Sequence, residues 1–200
     1  MRTSDDSGRS AGAKQNTALT GMPGAKQNIV LTGMPGAKQN IVLTGMPGAG
    51  KSTVGVVLAK KLGLAFVDSD LVIQEKQGML LHEIIREKGL DGFLQIEEEI
   101  NASLEASGAV IATGGSVIYG EKAMEHLKRT GTVVYLQLPL AAIAERLGDL
   151  NERGVALQEG QSLRSLYEER VPLYEKYADI ILSCENKMLR EIVMEIAKKI

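Results

Sequence analysis

The chain reads as an α/β protein of three layers: a five-stranded parallel sheet with helices on both faces. Two observations carry that expectation. From residue 40 onward, short apolar runs alternate with stretches of helical period. The runs are apolar at consecutive positions, as strands covered on both faces require.

In order, strands are expected at 41–44, 65–67, 109–112, 132–136 and 180–182. Between them, helices fit 53–62, 71–77 and 80–88, each followed by a glycine (Gly63, Gly78, Gly89) that can take the left-handed conformation ending a helix. Further helices fit 92–106, 121–128, 141–147, 162–177 and 187–200. In such a sheet, ligands sit beyond the carboxyl ends of the strands, so the chemistry is expected directly after each one.

After the first strand comes Gly45-Met46-Pro47-Gly48-Ala49-Gly50-Lys51-Ser52, which fits GxxxxGK[ST] in its required place between strand and helix. Glycine backbone lets main-chain N–H groups approach a phosphate closely, and the helix adds the positive end of its dipole. Lys51 supplies a flexible cation for the β and γ phosphates, and Ser52 a hydroxyl for Mg²⁺. Thr53 follows in the same turn. A glycine-rich turn matching by chance would lack that context.

The same text recurs upstream with a period of 12. Residues 23–34 and 35–46 are identical, and 11–22 is an imperfect copy. Only the last copy runs on into Gly-Lys-Ser; the others continue into Gly-Ala-Lys-Gln-Asn. This period is too short for the common solenoid arrays. Residues 1–38 are therefore expected to be a duplicated, disordered or loosely packed extension, with the domain at 39–200. The apolar copies at 29–31 and 41–43 are equivalent as strands, so an unpaired one could add to a sheet edge.

Composition narrows the classes. With 200 residues and 44% hydrophobic content the chain can bury a proper core. A net charge of −2 leaves no electrostatic footprint for nucleic acid. No apolar stretch reaches the length of a membrane span. The start pairs Arg2 with Asp5 and Asp6, and no apolar core follows, so neither a secretory signal nor a transit peptide is expected. The single Cys184 excludes an internal disulfide and reads as a small buried residue at a strand end. His82 and His126 are isolated and make no metal site. Phe93, Ile96 and Ile100 form a core-facing stripe. A cytoplasmic monomer is the expectation.

After the second strand, Asp68-Ser69-Asp70 offers two carboxylates suited to magnesium and an acceptor hydroxyl, or simply an Asp-rich turn. After the third, Thr113-Gly114-Gly115-Ser116 offers bare backbone for close approach, or a structural turn. The polar, glycine-bounded segment 148–154, with 158–161 behind it, has the character of a mobile lid, from which Arg153 could reach a transferring phosphoryl group.

Taken together, GMPGAGKSTVG at 45–55, FVDSD at 66–70, GF..IEEE at 92–99, ATGGS at 112–116, VVYL at 133–136, Arg153 and RVPLYEKYAD at 170–179 resemble the shikimate kinase family, over about residues 40 to 200. The resemblance implies a P-loop kinase fold, ATP with Mg²⁺, and phosphorylation of a ring hydroxyl on a small carboxylate. It implies that Asp68 holds the magnesium shell, Asp70 binds the acceptor hydroxyl and steers its proton, and Gly114 and Gly115 line the substrate pocket. Arg153 would stabilise phosphoryl charge and Arg170 grip the carboxylate. Arg146 would flank the adenine with the stretch near Asn186 opposite.

One departure stands out. Where the family's helix carries an arginine after Gly-Phe, this chain has Leu94. That arginine would share the substrate carboxylate with Arg170 and could pair with Glu97 one turn on. Losing such a contact costs about 1.5–3 kcal/mol. Ser116 also breaks a glycine triplet, and the lid has Arg153-Gly154 where Arg-Pro is usual. Arg86 is a candidate replacement cation. The alternatives are a related kinase for another hydroxyl compound, and a nucleotide-binding module without turnover. A GTPase is disfavoured, because 186–189 lacks the aspartate expected for guanine.

Overall fold

The computed structural model describes residues 40–147 and 160–200. The expected extension at 1–38 and the lid arginine, Arg153, lie outside the described residues. Five strands, β1 (Asn40–Thr44), β2 (Ala65–Asp68), β3 (Ala109–Ala112), β4 (Gly131–Gln137) and β5 (Ile180–Ser183), form one parallel sheet in the order β2-β3-β1-β4-β5. All five expected strands are present. Ile41, Val42 and Leu43 are each 1% exposed or less. Successive strand residues point to opposite faces, so both faces of the sheet centre are covered.

The helices are α1 (Lys51–Leu62), α2 (Ser69–Gln77), α3 (Leu81–Ala102), α4 (Glu121–Thr130), α5 (Leu140–Leu147), α6 (Leu163–Tyr177) and α7 (Leu189–Lys199). Gly63 and Gly78 end α1 and α2 in the left-handed conformation (φ 66° at each), as their positions predict. Gly89 differs. It is non-helical (φ 73°, ψ 174°), yet helical turns resume at once, so the two segments expected at 80–88 and 92–106 form one kinked α3. Its C-terminal end also comes earlier than expected. Ser103 bonds back to Glu99 O at 2.8 Å through its hydroxyl, and the chain leaves the helix there. A 3₁₀ turn at Val117–Tyr119, invisible in the periodicity, follows β3.

Asn40 ties the sheet together at its amino edge. Its Nδ2 donates to Ala106 O (2.8 Å), and its Oδ1 accepts from Ala109 N (3.1 Å), so one side chain sets β1 against β3. On the other side, β4 begins at Gly131, opposite Asn40. A second, smaller apolar cluster of Ile73, Ile84, Phe93 and Ile100 joins α2 to α3, with Leu94 and Ile96 packed on it. The expected stripe of Phe93, Ile96 and Ile100 is this seam. Cys184 is buried just past β5, with its thiol pushed up to about 11 by burial, which leaves it unreactive. Among the described residues, no helix is long and apolar enough to cross a membrane.

A β-carbon on Gly131 would lie 2.6 Å from Asn40 O, a backbone atom with no freedom to retreat. Gly131→Ala is therefore expected to separate β4 from β1 and cost about 1–3 kcal/mol, read as a lower denaturant midpoint at unchanged slope.

Candidate functional site

The connections from β1 and β3 leave for opposite sides of the sheet, so a crevice opens beyond their carboxyl ends. The loop after β1 turns on glycines: Gly45, Gly48 and Gly50 have φ of 146°, 79° and 90°. Gly50 caps α1 without a side-chain hydrogen bond, which leaves the helix's first N–H groups for an anion. Lys51 is buried at the start of α1. Its Nζ donates to Gly45 O (2.8 Å) and Met46 O (3.1 Å), which leaves one donor unused by these contacts. Burial lowers its pKa to about 8, while the charge of Asp70 works the other way.

Ser52 Oγ donates to Asp68 Oδ2 at 2.7 Å, so the two expected magnesium residues stand side by side. Asp68 also caps α2, its Oδ1 accepting from Asp70 N (3.1 Å). Asp70 thus sits in the first turn of α2 rather than in a loop. Its Oδ1 is buried with no hydrogen-bond partner among the described residues. Burial, and then the charge of Asp68, raise its pKa to about 6.

A cavity of about 380 Å³ collects most of the expected residues. Gly48, Gly50, Lys51, Ser52 and Thr53 line one wall; Asp70, Gly114, Gly115 and Arg170 line the other. Gly45, Ala49 and Asp68 stand outside this lining: Gly45 anchors Lys51, Ala49 N closes the turn onto Met46 O (3.0 Å), and Asp68 backs Ser52. The bareness of Gly115 is required by space, since a β-carbon there would lie 2.8 Å from Pro47. Tyr174 Oη donates to Gly115 O at 2.5 Å, and its ring stacks on Tyr135 at 5.0 Å, so the glycine strip is braced from behind.

Arg170 is 1% exposed. Its Nε donates to Tyr119 Oη (3.2 Å), and that hydroxyl donates in turn to Glu169 Oε1 (2.6 Å). Arg146 lines a separate cleft of about 320 Å³ with Asn186 and Lys187, across Gly48 from the first cavity. Arg146 and the Asn186 stretch thus line one cleft. Arg86 is exposed on α3 and does not line the cavity, so it is no replacement cation. Leu94 packs into the second apolar cluster instead.

Two residues outside the expected set complete the site, Glu97 and Tyr119. Glu97 is 1% exposed and lines the cavity. Burial raises its pKa to about 8, with the Ser116 hydroxyl opposing that shift. In sequence it reads as one more acid on a charged helix; only the packing of α3 shows it inside.

The shikimate kinase profile matches residues 47–200. The chain belongs to the shikimate kinase family. Among relatives, the shikimate kinase of Sulfurihydrogenibium sp. is 37% identical over 152 residues, covering 76% of this chain and 91% of that protein. That of Persephonella marina is 38% identical, covering 76% and 92%. Among solved structures, a shikimate kinase from Acinetobacter baumannii in complex with shikimate superposes with a TM-score of 0.73 at 34% identity, covering 80% of this chain and 92% of that one. The Aquifex aeolicus shikimate kinase gives 0.69 at 34%, covering 80% and 94%. This shikimate kinase family member is thus a phosphotransferase acting on a hydroxyl group.

Glu97 gives the site a pH signature. The folded protein keeps the proton up to about pH 8, whereas the unfolded chain releases it near 4.5. Between those values the native state binds more protons, so the contribution of Glu97 to stability falls as pH rises, at up to about 1.4 kcal/mol per unit. Glu97→Gln removes this loss. Urea denaturation at pH 5 and pH 8 is expected to show the variant gaining on wild type at the higher pH; an equal gap at both would contradict the buried acid.

Proposed function

We propose that the chain transfers the γ-phosphoryl group of ATP to a hydroxyl of shikimate, forming shikimate 3-phosphate and ADP. The observation that carries this reading is the convergence of a phosphate-cradling loop, Asp70 and Arg170 on one cavity, in a chain of this family. The loop from Gly45 to Thr53 binds the β and γ phosphates, with α1's N-terminus and Lys51 supplying positive charge. Ser52 and Asp68, adjacent hard oxygen donors, suit a magnesium ion that takes the rest of its shell from water and phosphate. When bound, that ion neutralises charge on the phosphate oxygens.

Arg170 binds the acceptor's carboxylate from its buried seat, oriented through Tyr119. Gly114 and Gly115 line the same cavity, their missing side chains leaving room for the carboxyls of Glu97 and Asp70 and for Pro47. Asp70 accepts a hydrogen bond from the reacting hydroxyl and takes its proton as that oxygen bonds to phosphorus and the bond to ADP breaks. Phosphoryl transfer asks mainly for positioning and charge stabilisation. Arg153, outside the described residues, is assigned to the transferring group, and Arg146 with the Asn186 stretch to the adenine.

Leu94 favours a second reading, a related kinase for another small hydroxyl-bearing metabolite. An ATP-consumption assay with shikimate and a panel of sugar acids and polyols decides between them. Shikimate is expected to be turned over, Lys51→Ala to abolish transfer, and Leu94→Arg to lower the shikimate KM by about tenfold or more. Brisk turnover of another acceptor with none of shikimate would sink the first reading.

We assign the enzyme to residues 39–200. Deleting residues 2–38 is expected to leave kcat/KM and the melting transition essentially unchanged; a large loss of either would show that an earlier strand copy contributes to the fold.

A further inference from the structure

A line of hydrogen bonds reaches Arg170 from the protein surface without passing through the cavity. Arg170 Nε donates to Tyr119 Oη (3.2 Å), Tyr119 Oη donates to Glu169 Oε1 (2.6 Å), and Gln161 Nε2 donates to Glu169 Oε2 (2.8 Å). Chemistry fixes these directions, since guanidinium and amide nitrogens donate and a carboxylate accepts. Burial, and then the bond to Glu169, raise the pKa of Tyr119 and so keep the proton that the line needs.

Exposure grows along the line: Arg170 is buried, Tyr119 half-buried and Glu169 exposed. Neither Tyr119 nor Glu169 lines the cavity. Holding both oxygens of an exposed glutamate costs side-chain entropy and returns little stability in water. What the arrangement does supply is geometry. Glu169 and Arg170 are neighbours on α6, and Tyr119 closes the 3₁₀ turn behind the glycine strip. The guanidinium lies over the Tyr119 ring, 5.2 Å from its centroid. A β-carbon on Gly115 would lie 3.2 Å from Arg170 Nη1. Nε is thus turned to Tyr119 while Nη1 stands beside Gly115 at the cavity wall. The bond to Tyr119 thereby sets which edge of the planar fork faces an acceptor.

We propose that Glu169, acting through Tyr119, is a positioning residue for the acceptor's carboxylate: it fixes the plane of the Arg170 guanidinium without touching the ligand. The inference rests on the role of Arg170 in the proposed function. It makes acceptor affinity depend on a surface residue, where a substitution ordinarily shifts an equilibrium by no more than about twofold.

The test uses the full chain with ATP and Mg²⁺ and two acceptors. One is shikimate; the other is the uncharged alcohol in which a hydroxymethyl group replaces its carboxylate. Tyr119→Phe keeps the ring beneath the guanidinium and removes only the hydroxyl. It and Glu169→Ala are each expected to raise the shikimate KM about fivefold or more, with kcat and the ATP KM within about twofold of wild type. The double variant should be no worse than the worse single one, because both break the same line. Glu169→Gln, whose amide oxygen can still accept from Tyr119, should retain most of the wild-type affinity. For the alcohol, kcat/KM should change by less than about twofold in every variant. Glu168→Ala, at an exposed neighbour paired with Arg164 (3.7 Å), should leave the shikimate KM as it is. Because Glu169 is exposed, its variants carry the test if Tyr119→Phe does not fold.

An unchanged shikimate KM in Glu169→Ala, additive losses in the double variant, or equal losses on both acceptors would overturn the proposal while leaving the kinase reading standing. If wild type ignores shikimate but phosphorylates another hydroxy-carboxylate, the shikimate reading fails. The same variants must then raise that acceptor's KM and spare its alcohol, or the proposal fails as well. Turnover of uncharged acceptors alone, or of none, overturns both.

Discussion

The pairing of β1 with β3 on one side and β4 on the other is the constraint from which the site follows. Every residue of β1 is buried, so its register is set by the core on both faces and by Asn40 at its amino end. A slip of one residue would turn Ile41, Val42 and Leu43 onto the wrong faces. Because the register cannot move, the loop that leaves Thr44 emerges at a fixed height. Thr113, just past β3, bonds to Leu43 O through both its backbone N–H (3.2 Å) and its hydroxyl (3.0 Å). Phosphate loop and glycine strip are therefore held to each other through one residue of the central strand.

The acceptor half is built on a different principle. Its wall is α2 and α3, joined by their own small apolar cluster, to which Phe93 contributes while also facing the cavity. This seam carries Leu94. Leu94 makes this position part of the apolar seam and offers no charge to Glu97 one turn on. The nucleotide half has the full complement of groups its motif requires, whereas among the described residues the acceptor half sets one buried cation, Arg170, against the buried Glu97 and the half-buried Asp70.

Most of the fold was legible because buried parallel strands are apolar at consecutive positions and because glycines mark helix ends. Gly63 and Gly78 behave as their positions foretell. Gly89 was legible as a stop but not as a kink: whether helical turns resume depends on packing beneath α3. The nucleotide residues were legible from spacing, since the loop's chemistry is local. Glu97 and Tyr119 were not. Each owes its role to a neighbour distant in sequence, Gly114 for one and Arg170 for the other, and the first of three successive glutamates on α3 carries no local mark of burial. Arg86 shows the reverse failure: a cation near the right stretch, on the exposed side of the helix.

Gly50 marks the point at which the duplicated text ahead of the domain departs from the phosphate loop. In the preceding copy, the place of Gly50 is taken by Lys38, and those of Lys51 and Ser52 by Gln39 and Asn40. A backbone at φ 90° disfavours a lysine at the place of Gly50, and the copy also lacks the cation and hydroxyl the motif supplies. The repetition copies the apolar run but not the residues that hold a phosphate, so the chain spells out its strand text several times and its nucleotide loop once.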